Sequence, residues 1–551
     1  MTPLPIRPVG AYTLSGLAVQ GDRLLALDSF RGYLMSVDIA SQSTDILNLN
    51  SLTADSTLWE DASGLAVSSN AVWFVRGETV FRADFSALSP VAFAELPYPG
   101  QGVAVSESHV YATCQKSGYI HVFEKENGQP AGQLPQPGIG LEGITTTEDA
   151  LWVCDRTEQT VYCLDKSSGQ IKFSALTPFN HPTDLTLYTP DGAQSPVCYV
   201  AYADEEPYIR DDPNAEDPYE LTFRDRTFIH PLRIHRTPTY TRSNGYLVEL
   251  TYFEELLPTA DAVPLTNVEW RMALPAESDR QVVRSVERIG HPFILEEQTG
   301  QQVAIFKFDK LTPQHRGLVG WKATLELYGL KYNLTPTDVE DIPPLSEAMQ
   351  RYLIDDDELA MDTDIIQQAA KEAVGTETNI LRKALKIRNY LYDRLSYGIQ
   401  PKIDTPDVAL ERGIASCGEY VGLLLALFRL NGIACRTVGR YKCPPHPEKR
   451  YLPLQPDFNH VWLEFYVPSI GWLPMESNVD DVIDRGPYPT RFFMGLAWYH
   501  TEFGKDIPFG KLHADDRPER LSVSDYAINH IQFTVLDELV PTESSAEQTS
   551  K

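Results

Sequence analysis

Residues 413–436 read GIASCGEYVGLLLALFRLNGIACR, and this stretch decides the fold of the second half of the chain. From Val421 the run is apolar almost all round, which predicts a buried helix, and Ser416 before it is a capping residue. Asn431 and the glycine after it are a usual end signal, beyond which IACRTVGRY begins a strand. Cys417 therefore stands at the predicted N-terminus of a buried helix, where the helix dipole favours a thiolate.

A second segment, residues 459–477, carries a histidine and reads NHVWLEFYVPSIGWLPMES. Its first half alternates with period two, which predicts a strand with His460 on one face. PSIG then makes a turn and WLPME a second strand, so the segment is predicted to be a hairpin. If Tyr466 pairs with Ile470, Glu476 lies directly opposite His460, where its carboxylate can fix the tautomer of the imidazole.

Cys417 and His460 are candidates for a nucleophile and its base, because a cysteine attacks carbonyl carbon as the thiolate and a neighbouring imidazolium stabilises that form. Glu476 is the predicted third member of a catalytic triad with these two residues, and Asp480 and Asp481 are weaker alternatives for that role. Each residue also has a structural interpretation. The cysteine could be a small buried apolar residue, the histidine a satisfied strand residue, and the glutamate an exposed carboxylate.

Four motifs stand in order along this part of the chain: ASCGEYVGL, RLNGIACR, HVWLE and GWLPME. In order and spacing they resemble the motifs of the transglutaminase-like superfamily, a papain-like cysteine fold, over about residues 346–538. The resemblance implies that Cys417 is the nucleophile, that His460 is the general base and acid, and that Glu476 is the third member. The family usually has aspartate at that last position. Trp462, Trp472 and Arg436, which also belong to these motifs, are expected to determine the fold rather than to act in catalysis.

The family contains proteases, deglycosylating amidases and crosslinking acyltransferases. We therefore expect a transglutaminase-like cysteine enzyme that acts on protein or peptide amides through a thioester, with hydrolysis as the main reaction. Two alternatives stay open: a non-catalytic protein-interaction scaffold, and an acyltransferase that crosslinks proteins. Glutamate in place of aspartate mildly favours the scaffold, whereas the retention of both Cys417 and His460 speaks against it.

Neither a metal nor a cofactor is expected. Cys435, Cys443, His446 and His460 could suggest zinc, but the two cysteines are too far apart for a zinc knuckle, and no Cys-x-x-Cys pair occurs. Two acidic stretches lack the alternating ligands and the glycine of a calcium loop. No glycine-rich loop followed by Lys-Ser/Thr occurs, so a nucleotide site has no support.

Charge and cysteine content limit the partners. The net charge of −29 argues against nucleic acid or an anionic membrane as a main partner, because the field of the protein would repel phosphate. The N-terminal residues have no apolar signal segment, and the apolar runs are too short to span a bilayer. Seven cysteines at scattered spacings fit reduced thiols, which predicts a cytoplasmic protein. The family resemblance implies a protein or peptide substrate as its partner.

The first half of the chain repeats. GLAV at residue 16, GLAV at 64, GVAV at 102 and GITT at 143 are each followed, eight residues on, by an apolar strand. Each unit continues with a further strand and a looser fourth segment, and a fifth unit follows Asp184. The pattern resembles generic β-propellers, whose blades have four strands. We interpret this half as a scaffold whose propeller could bind a protein partner; the number of blades stays open.

The predicted fold class is multidomain, mainly β with an α+β core. Residues 1–236 are expected to form the β-propeller-like repeat domain, and residues 237–345, which carry strong strand signals, a β-sandwich-like accessory domain. Residues 346–538 are expected to form the transglutaminase-like catalytic core. It opens with amphipathic helices predicted over residues 344–353, 364–374 and 377–395, the last with a start signal at residues 376–378, and these helices are expected to pack around the cysteine helix. The polar residues 539–551 are expected to be a disordered tail.

Overall fold

The structure is a computed structural model that describes residues 5–49, 58–190, 195–211, 219–259, 262–356, 358–456, 459–483, 485–515 and 521–541. The chain divides into two compact units, residues 1–234 and residues 235–551. About half of the described chain is strand, and the long helices are confined to the second unit.

Each of the first four repeats folds into a four-stranded antiparallel sheet with its strands in sequence order. The strands are β1 Leu14–Gln20, β2 Arg23–Asp28, β3 Tyr33–Asp38, β4 Thr44–Ile46, β5 Ala62–Ser68, β6 Ala71–Arg76, β7 Thr79–Asp84, β8 Val91–Glu95, β9 Gly102–Val105, β10 His109–Cys114, β11 Tyr119–Glu124, β12 Pro130–Pro135, β13 Leu141–Thr146, β14 Ala150–Asp155, β15 Thr160–Asp165 and β16 Ile171–Leu176. The prediction of four strands in each of these repeats is confirmed.

The fifth repeat forms a three-stranded sheet of β17 Pro182–Tyr188, β18 Val197–Asp211 and β19 Tyr219–Leu232. Near the start of the chain, Ile6 and Ile229 exchange two backbone hydrogen bonds of 2.8 Å, which attaches the N-terminal segment to β19. The first strands of the five sheets contact one another in the order β1, β5, β9, β13 and β17, and β17 also contacts β1.

Steric crowding explains why a glycine opens these repeats. A Cβ atom on Gly64 would lie 2.5 Å from the Cα atom of Gly102, and one on Gly102 would lie 2.8 Å from the Cα atom of Gly143. Both distances are far below a normal contact, so the first strands of neighbouring sheets approach too closely for any side chain at these positions.

The second unit contains two antiparallel sheets outside the helical core, and strands that follow the core in sequence complete both of them. The larger sheet has β20 Ile234–Arg236, β21 Tyr240–Leu256, β26 Gly317–Tyr332, β23 Gln281–Gly290, β32 Gly495–Leu496 and β35 Ala527–Leu539. The smaller has β24 Phe293–Gln298, β25 Gln301–Leu311, β22 Leu265–Ala273 and β34 Gly510–Ala514. Because β34 and β35 return to strands of the accessory region, residues 235–551 form one compact unit.

The core of the second unit packs helices against a four-stranded sheet. The helices are α1 Glu347–Gln350, α2 Asp364–Val374, α3 Ile380–Tyr392, α4 Pro406–Arg412 and α5 Cys417–Leu430. The strands are β27 Ser396–Tyr397, β28 Ile414–Ala415, β29 Cys435–Lys442, β30 Asn459–Val467, β31 Gly471–Met475 and β33 His500–Phe503. The four-stranded sheet has the order β31, β30, β29, β33. Helices α2 and α3 contact α5, which confirms the predicted packing around the cysteine helix for two of the three predicted helices, and α4 contacts it as well.

The described helices differ from the sequence expectation at three places. The predicted helix over residues 344–353 is one α-turn, α1, followed by a short 3-10 turn. Helix α3 is capped by Asn379, whose side chain accepts from two backbone N–H groups, rather than by the residues 376–378 that we expected. Helix α4 was not predicted, because its seven residues are too few to show a clear periodicity.

The predicted boundaries at residues 237, 345 and 538 stay predictions. Strand β35 runs to Leu539, and residues 542–551 of the predicted tail lie outside the described residues. In the described part of the chain, no helix is both long enough and apolar enough to cross a membrane.

Candidate active site

Cys417 is the first residue of helix α5, as the sequence predicts. Ser416 is the N-cap, and the carboxylate of Glu419 accepts hydrogen bonds from its backbone N–H at 2.8 Å and from its hydroxyl at 3.0 Å. Cys417 is partly exposed, whereas the other six cysteines are buried. Among the thiols of the chain, only Cys417 is therefore both at a helix N-terminus and open to a substrate.

The buried carboxylate of Glu419 also holds the segment that precedes the helix. Its Oε1 atom accepts from Nη2 of Arg412 at 2.6 Å and from the backbone N–H of Asp404 at 3.1 Å. One side chain thus fixes the helix start and the two segments that lead to it. Cys417 is therefore held on a rigid element rather than on a mobile loop.

His460 lies on β30, the strand against which α5 packs. Its imidazole interacts with the thiol of Cys417. Burial alone would raise the pKa of the thiol, but this interaction and the charge of His460 bring the pKa below its ordinary value. Burial likewise opposes the imidazolium, yet the neighbouring carboxylate of Glu476 raises the pKa of His460. The two shifts together favour a thiolate and imidazolium pair.

Glu476 binds His460 as predicted, but not through the predicted strand register. We expected Tyr466 opposite Ile470; the structure pairs Tyr466 with Trp472, a shift of two residues. The same register, continued past the end of β31, makes Glu476 a diagonal neighbour of His460 on the same face, because a shift of two preserves the side-chain alternation. Nε2 of His460 lies 2.8 Å from Oε2 and 3.0 Å from Oε1 of Glu476.

The longer side chain of glutamate suits this diagonal placement. Diagonal neighbours across a hairpin are about 7–8 Å apart at Cα, against about 5 Å for directly opposite residues. An additional methylene extends the carboxylate toward the imidazole. Because Nε2 is bound to Glu476, Nδ1 is the ring nitrogen left for the interaction with the thiol of Cys417.

The two aspartates considered as alternatives are bound elsewhere. Asp480 is buried and accepts from Nε of Arg491 at 2.8 Å, and Nη1 of Arg388 lies 3.5 Å from its other oxygen. Asp481 accepts from the hydroxyl of Tyr420 at 2.7 Å. Of the three candidate carboxylates, Glu476 is the one with a hydrogen bond to His460.

Two further residues that the sequence did not single out bind Glu476. Nζ of Lys442 lies 2.6 Å from its Oε1 atom, and Nε2 of His500 lies 2.8 Å from the same oxygen. Burial would raise the pKa of the Glu476 carboxyl, but the charges of His460 and Lys442 hold it well below its usual range. The alternation of β29 could have placed Lys442 on the face of His460; no motif in the sequence points to His500.

The remaining motif residues contact one another. Nη2 of Arg436 lies 2.7 Å from Oε2 of Glu464, and its guanidinium lies 4.0 Å from the ring centroid of Trp472. Nζ of Lys505 lies 2.9 Å from Oε1 of Glu464. Trp462 is fully buried. These contacts agree with the expected structural role of Arg436, Trp462 and Trp472.

Residues 367–477 match the family model of the transglutaminase-like superfamily, which confirms the resemblance read from the motifs. The matched residues include Cys417, His460 and Glu476. The second unit therefore contains a transglutaminase-like core, and the superfamily is one of cysteine-based enzymes. No curated protein sequence matches the chain.

Three solved structures illustrate the similarity of the chain to known folds. A candidate cysteine protease from Cytophaga hutchinsonii is 15% identical, with 56% of this chain and 94% of that chain covered and a TM-score of 0.39. Glutaminyl cyclase from Myxococcus xanthus is 9% identical, with 42% and 97% covered and a TM-score of 0.29. The calcium-binding protein regucalcin from Agrobacterium tumefaciens is 12% identical, with 41% and 93% covered and a TM-score of 0.26. We base no assignment on similarities of this size.

Proposed function

We propose that the chain is a cysteine hydrolase that cleaves amide bonds in a protein or peptide substrate. Cys417 is the nucleophile, His460 the general base and acid, and Glu476 the residue that orients the imidazole. The observation that carries the proposal is that a partly exposed helix-terminal thiol interacts with a buried imidazole, which in turn is hydrogen-bonded to a buried carboxylate. Such a series is the arrangement that activates a cysteine.

In the proposed reaction, His460 holds the proton that Cys417 gives up, and the thiolate attacks the carbonyl carbon of the amide. The C–N bond then breaks as His460 donates that proton to the leaving amine, and a thioester remains on Cys417. Water, deprotonated by His460, attacks the thioester, which releases the acid and returns the thiol. The backbone N–H of Cys417, at the positive end of α5, is positioned as a donor to the oxyanion of each tetrahedral intermediate.

The test is hydrolysis of a peptide mixture by the whole chain, read by mass spectrometry as new carboxyl termini or as side-chain deamidation. The wild-type protein is compared with Cys417→Ala and Cys417→Ser, and Cys443→Ala is the control because that cysteine is buried. We expect activity that is lost in both Cys417 variants and retained in the control. Equal activity in Cys417→Ala would reject the proposal.

Crosslinking is separated from hydrolysis by adding a labelled primary amine and a glutamine-bearing protein. Hydrolysis predicts free acid as the main product. Incorporation of the amine as the main product would replace hydrolase with acyltransferase as the function. If the wild-type chain forms neither product, the scaffold alternative is favoured.

We further propose that the first unit is a propeller of five sheets that recruits a protein partner or substrate. The contacts between successive first strands support this, as does Asp184, whose buried Oδ2 atom accepts from the backbone N–H groups of Leu17 at 2.6 Å and Leu65 at 3.2 Å. Three of the five sheets meet at this carboxylate. If a fragment of residues 235–551 cleaves protein substrates as well as the whole chain does, recruitment by the first unit is wrong.

A further inference from the structure

The carboxylate of Glu476 is held by side chains from three strands. Its Oε2 atom is the nearer partner of Nε2 of His460 at 2.8 Å, whereas Oε1 receives both Nζ of Lys442 at 2.6 Å and Nε2 of His500 at 2.8 Å. The side chains of Glu476 and both histidines are at most 3% exposed, and that of Lys442 is 22% exposed. Oε2 therefore faces the imidazole of His460 and also accepts from the backbone N–H of Ser477 at 3.0 Å, whereas Oε1 receives the two anchoring side chains.

The anchoring pair is fixed by the sheet. Lys442 and His500 are directly paired across β29 and β33, so their side chains leave the same face next to each other. The ring of His500 stacks on Tyr499 at a centroid distance of 4.9 Å and meets the edge of Trp462 at 5.2 Å. Nη2 of Arg280 donates to the backbone carbonyl of His500 at 2.8 Å.

Charge distinguishes the two anchors. Burial and the charge of Lys442 lower the pKa of His500 to about 3, so His500 is neutral and contributes a hydrogen bond. Lys442 contributes a positive charge that balances the buried carboxylate. Without it, His460 would be the main cationic partner of Glu476 and would retain its proton more strongly.

We propose that Lys442 and His500 are positioning residues of the candidate active site. They anchor Oε1 of Glu476 so that Oε2 meets His460, and Lys442 keeps the imidazolium acidic enough to protonate a leaving amine. Glutamate has one more rotatable bond than aspartate, so its carboxylate needs this additional restraint. The inference rests on the proposed function, because it concerns the proton that His460 transfers.

The other groups that act on this network stay unchanged in the test. Cys417 on α5 interacts with His460, and the charge of Glu476 acts on Tyr392 on α3. The charge of Arg280 acts on His500. Substitution of Lys442 alone therefore changes one charge in a fixed set.

The probe is iodoacetate, and the readout is the rate of alkylation of Cys417 against pH, measured by mass spectrometry on the whole chain. The rate rises as the thiolate forms and falls as the imidazolium, which attracts the anionic probe, loses its proton. The midpoint of the alkaline fall thus reports on His460 without any knowledge of the substrate.

For Lys442→Met we expect the alkaline midpoint to rise by at least about half a pH unit, because the charge that opposes the imidazolium is gone. Lys442→Arg should return it toward the wild-type value. The matched control is Lys505→Met: Lys505 is also a lysine paired with buried carboxylates, but its partners are Glu464 and Glu502. The control should leave the midpoint unchanged. If Lys442→Met does not fold, Lys442→Gln removes the same charge.

For His500→Phe, which keeps a ring but removes the donor, we expect the alkylation rate at the optimum to fall at least about tenfold. His500→Gln returns a side-chain N–H donor and should recover much of the rate. A purely structural role would predict that Phe, the closer match in ring shape, is tolerated better than Gln.

The outcomes separate the two proposals. A wild-type profile without an alkaline fall, or one unchanged in His460→Ala, rejects the proposed function and this inference with it. A bell-shaped wild-type profile whose midpoint is the same in Lys442→Met, or is moved equally by Lys505→Met, rejects the inference alone. Equal rates in His500→Phe and the wild type reject the role of His500.

Discussion

Glu476 accepts a hydrogen bond from Nε2 of His460 at 2.8 Å, although the register of their hairpin makes the two residues diagonal rather than directly opposite. The contact spans a longer distance than an opposite pair would, and glutamate is the acidic side chain long enough to bridge it. This relationship gives the unusual glutamate in the fourth motif a geometric reason, and it makes the length of the side chain testable.

Shortening this side chain should impair the site while leaving its charge in place. For Glu476→Asp we expect the rate of Cys417 alkylation at its optimum to fall about tenfold, because the carboxylate no longer reaches the imidazole without a backbone shift. Asp481→Asn is the matched control, since Asp481 is bonded to Tyr420 instead. If the Glu476→Asp variant reacts as fast as the wild type, the diagonal distance is not limiting.

The pH dependence of the thiol follows from the two shifts. The pKa of Cys417 is lowered and that of His460 is raised, and both shifts favour the ion pair: the thiolate forms as pH rises through the Cys417 pKa, and the imidazolium is lost as pH rises through the His460 pKa. We expect thiolate absorbance, taken as the difference between wild type and Cys417→Ala, to appear well below the ordinary cysteine pKa. Appearance only at the ordinary value would contradict the pairing.

The capping carboxylate of Glu419 should contribute to stability as well as to geometry. For Glu419→Ala we expect a loss of about 2–3 kcal/mol in the free energy of unfolding, because partly buried donors of Ser416 and Arg412 lose a charged, buried partner. The loss in the free energy of unfolding is measured by urea denaturation. Glu411→Ala, on the exposed side of α4, is the control and should change little. A similar, small change in both variants would show that the cap is dispensable.

Asp184 should stabilise the first unit. Its removal in Asp184→Ala leaves the N–H groups of Leu17 and Leu65 without their acceptor, which we expect to cost about 2–4 kcal/mol. Hydrogen exchange at these two amides, measured by mass spectrometry of peptides from β1 and β5, localises the effect. Unchanged protection of both peptides would mean that the carboxylate does not join the sheets.

Local patterns in the sequence were enough to place most of the candidate site. The helix start at Cys417, the strand with His460 and the hairpin to Glu476 each follow from short-range signals: a cap, an alternation of apolar residues and a turn. The register of the hairpin was missed by two residues, because the turn residues alone did not fix which pair closes the hairpin. The predicted sheet face of Glu476 was nevertheless right, because a register shift of an even number of residues leaves each side chain on the same face.

The anchors of Glu476 could not be read from the sequence in the same way. Lys442 and His500 are 58 residues apart by their numbering and meet only because β33 pairs with β29. That pairing joins strands distant in sequence, and β33 has just four residues, too few to carry a pattern. The return of β34 and β35 to the sheets of the accessory region was hidden for the same reason.

The proposed function depends most on the activation of Cys417 by His460. The most direct test compares the rate of alkylation of Cys417 by iodoacetamide at neutral pH in the wild type and in His460→Ala. Both proteins expose the same cysteine, so accessibility is matched and the imidazole is the variable. We predict that the rate falls by at least about tenfold when the imidazole is removed. Equal rates in the two proteins would show that His460 does not activate the thiol and would contradict the proposed enzyme.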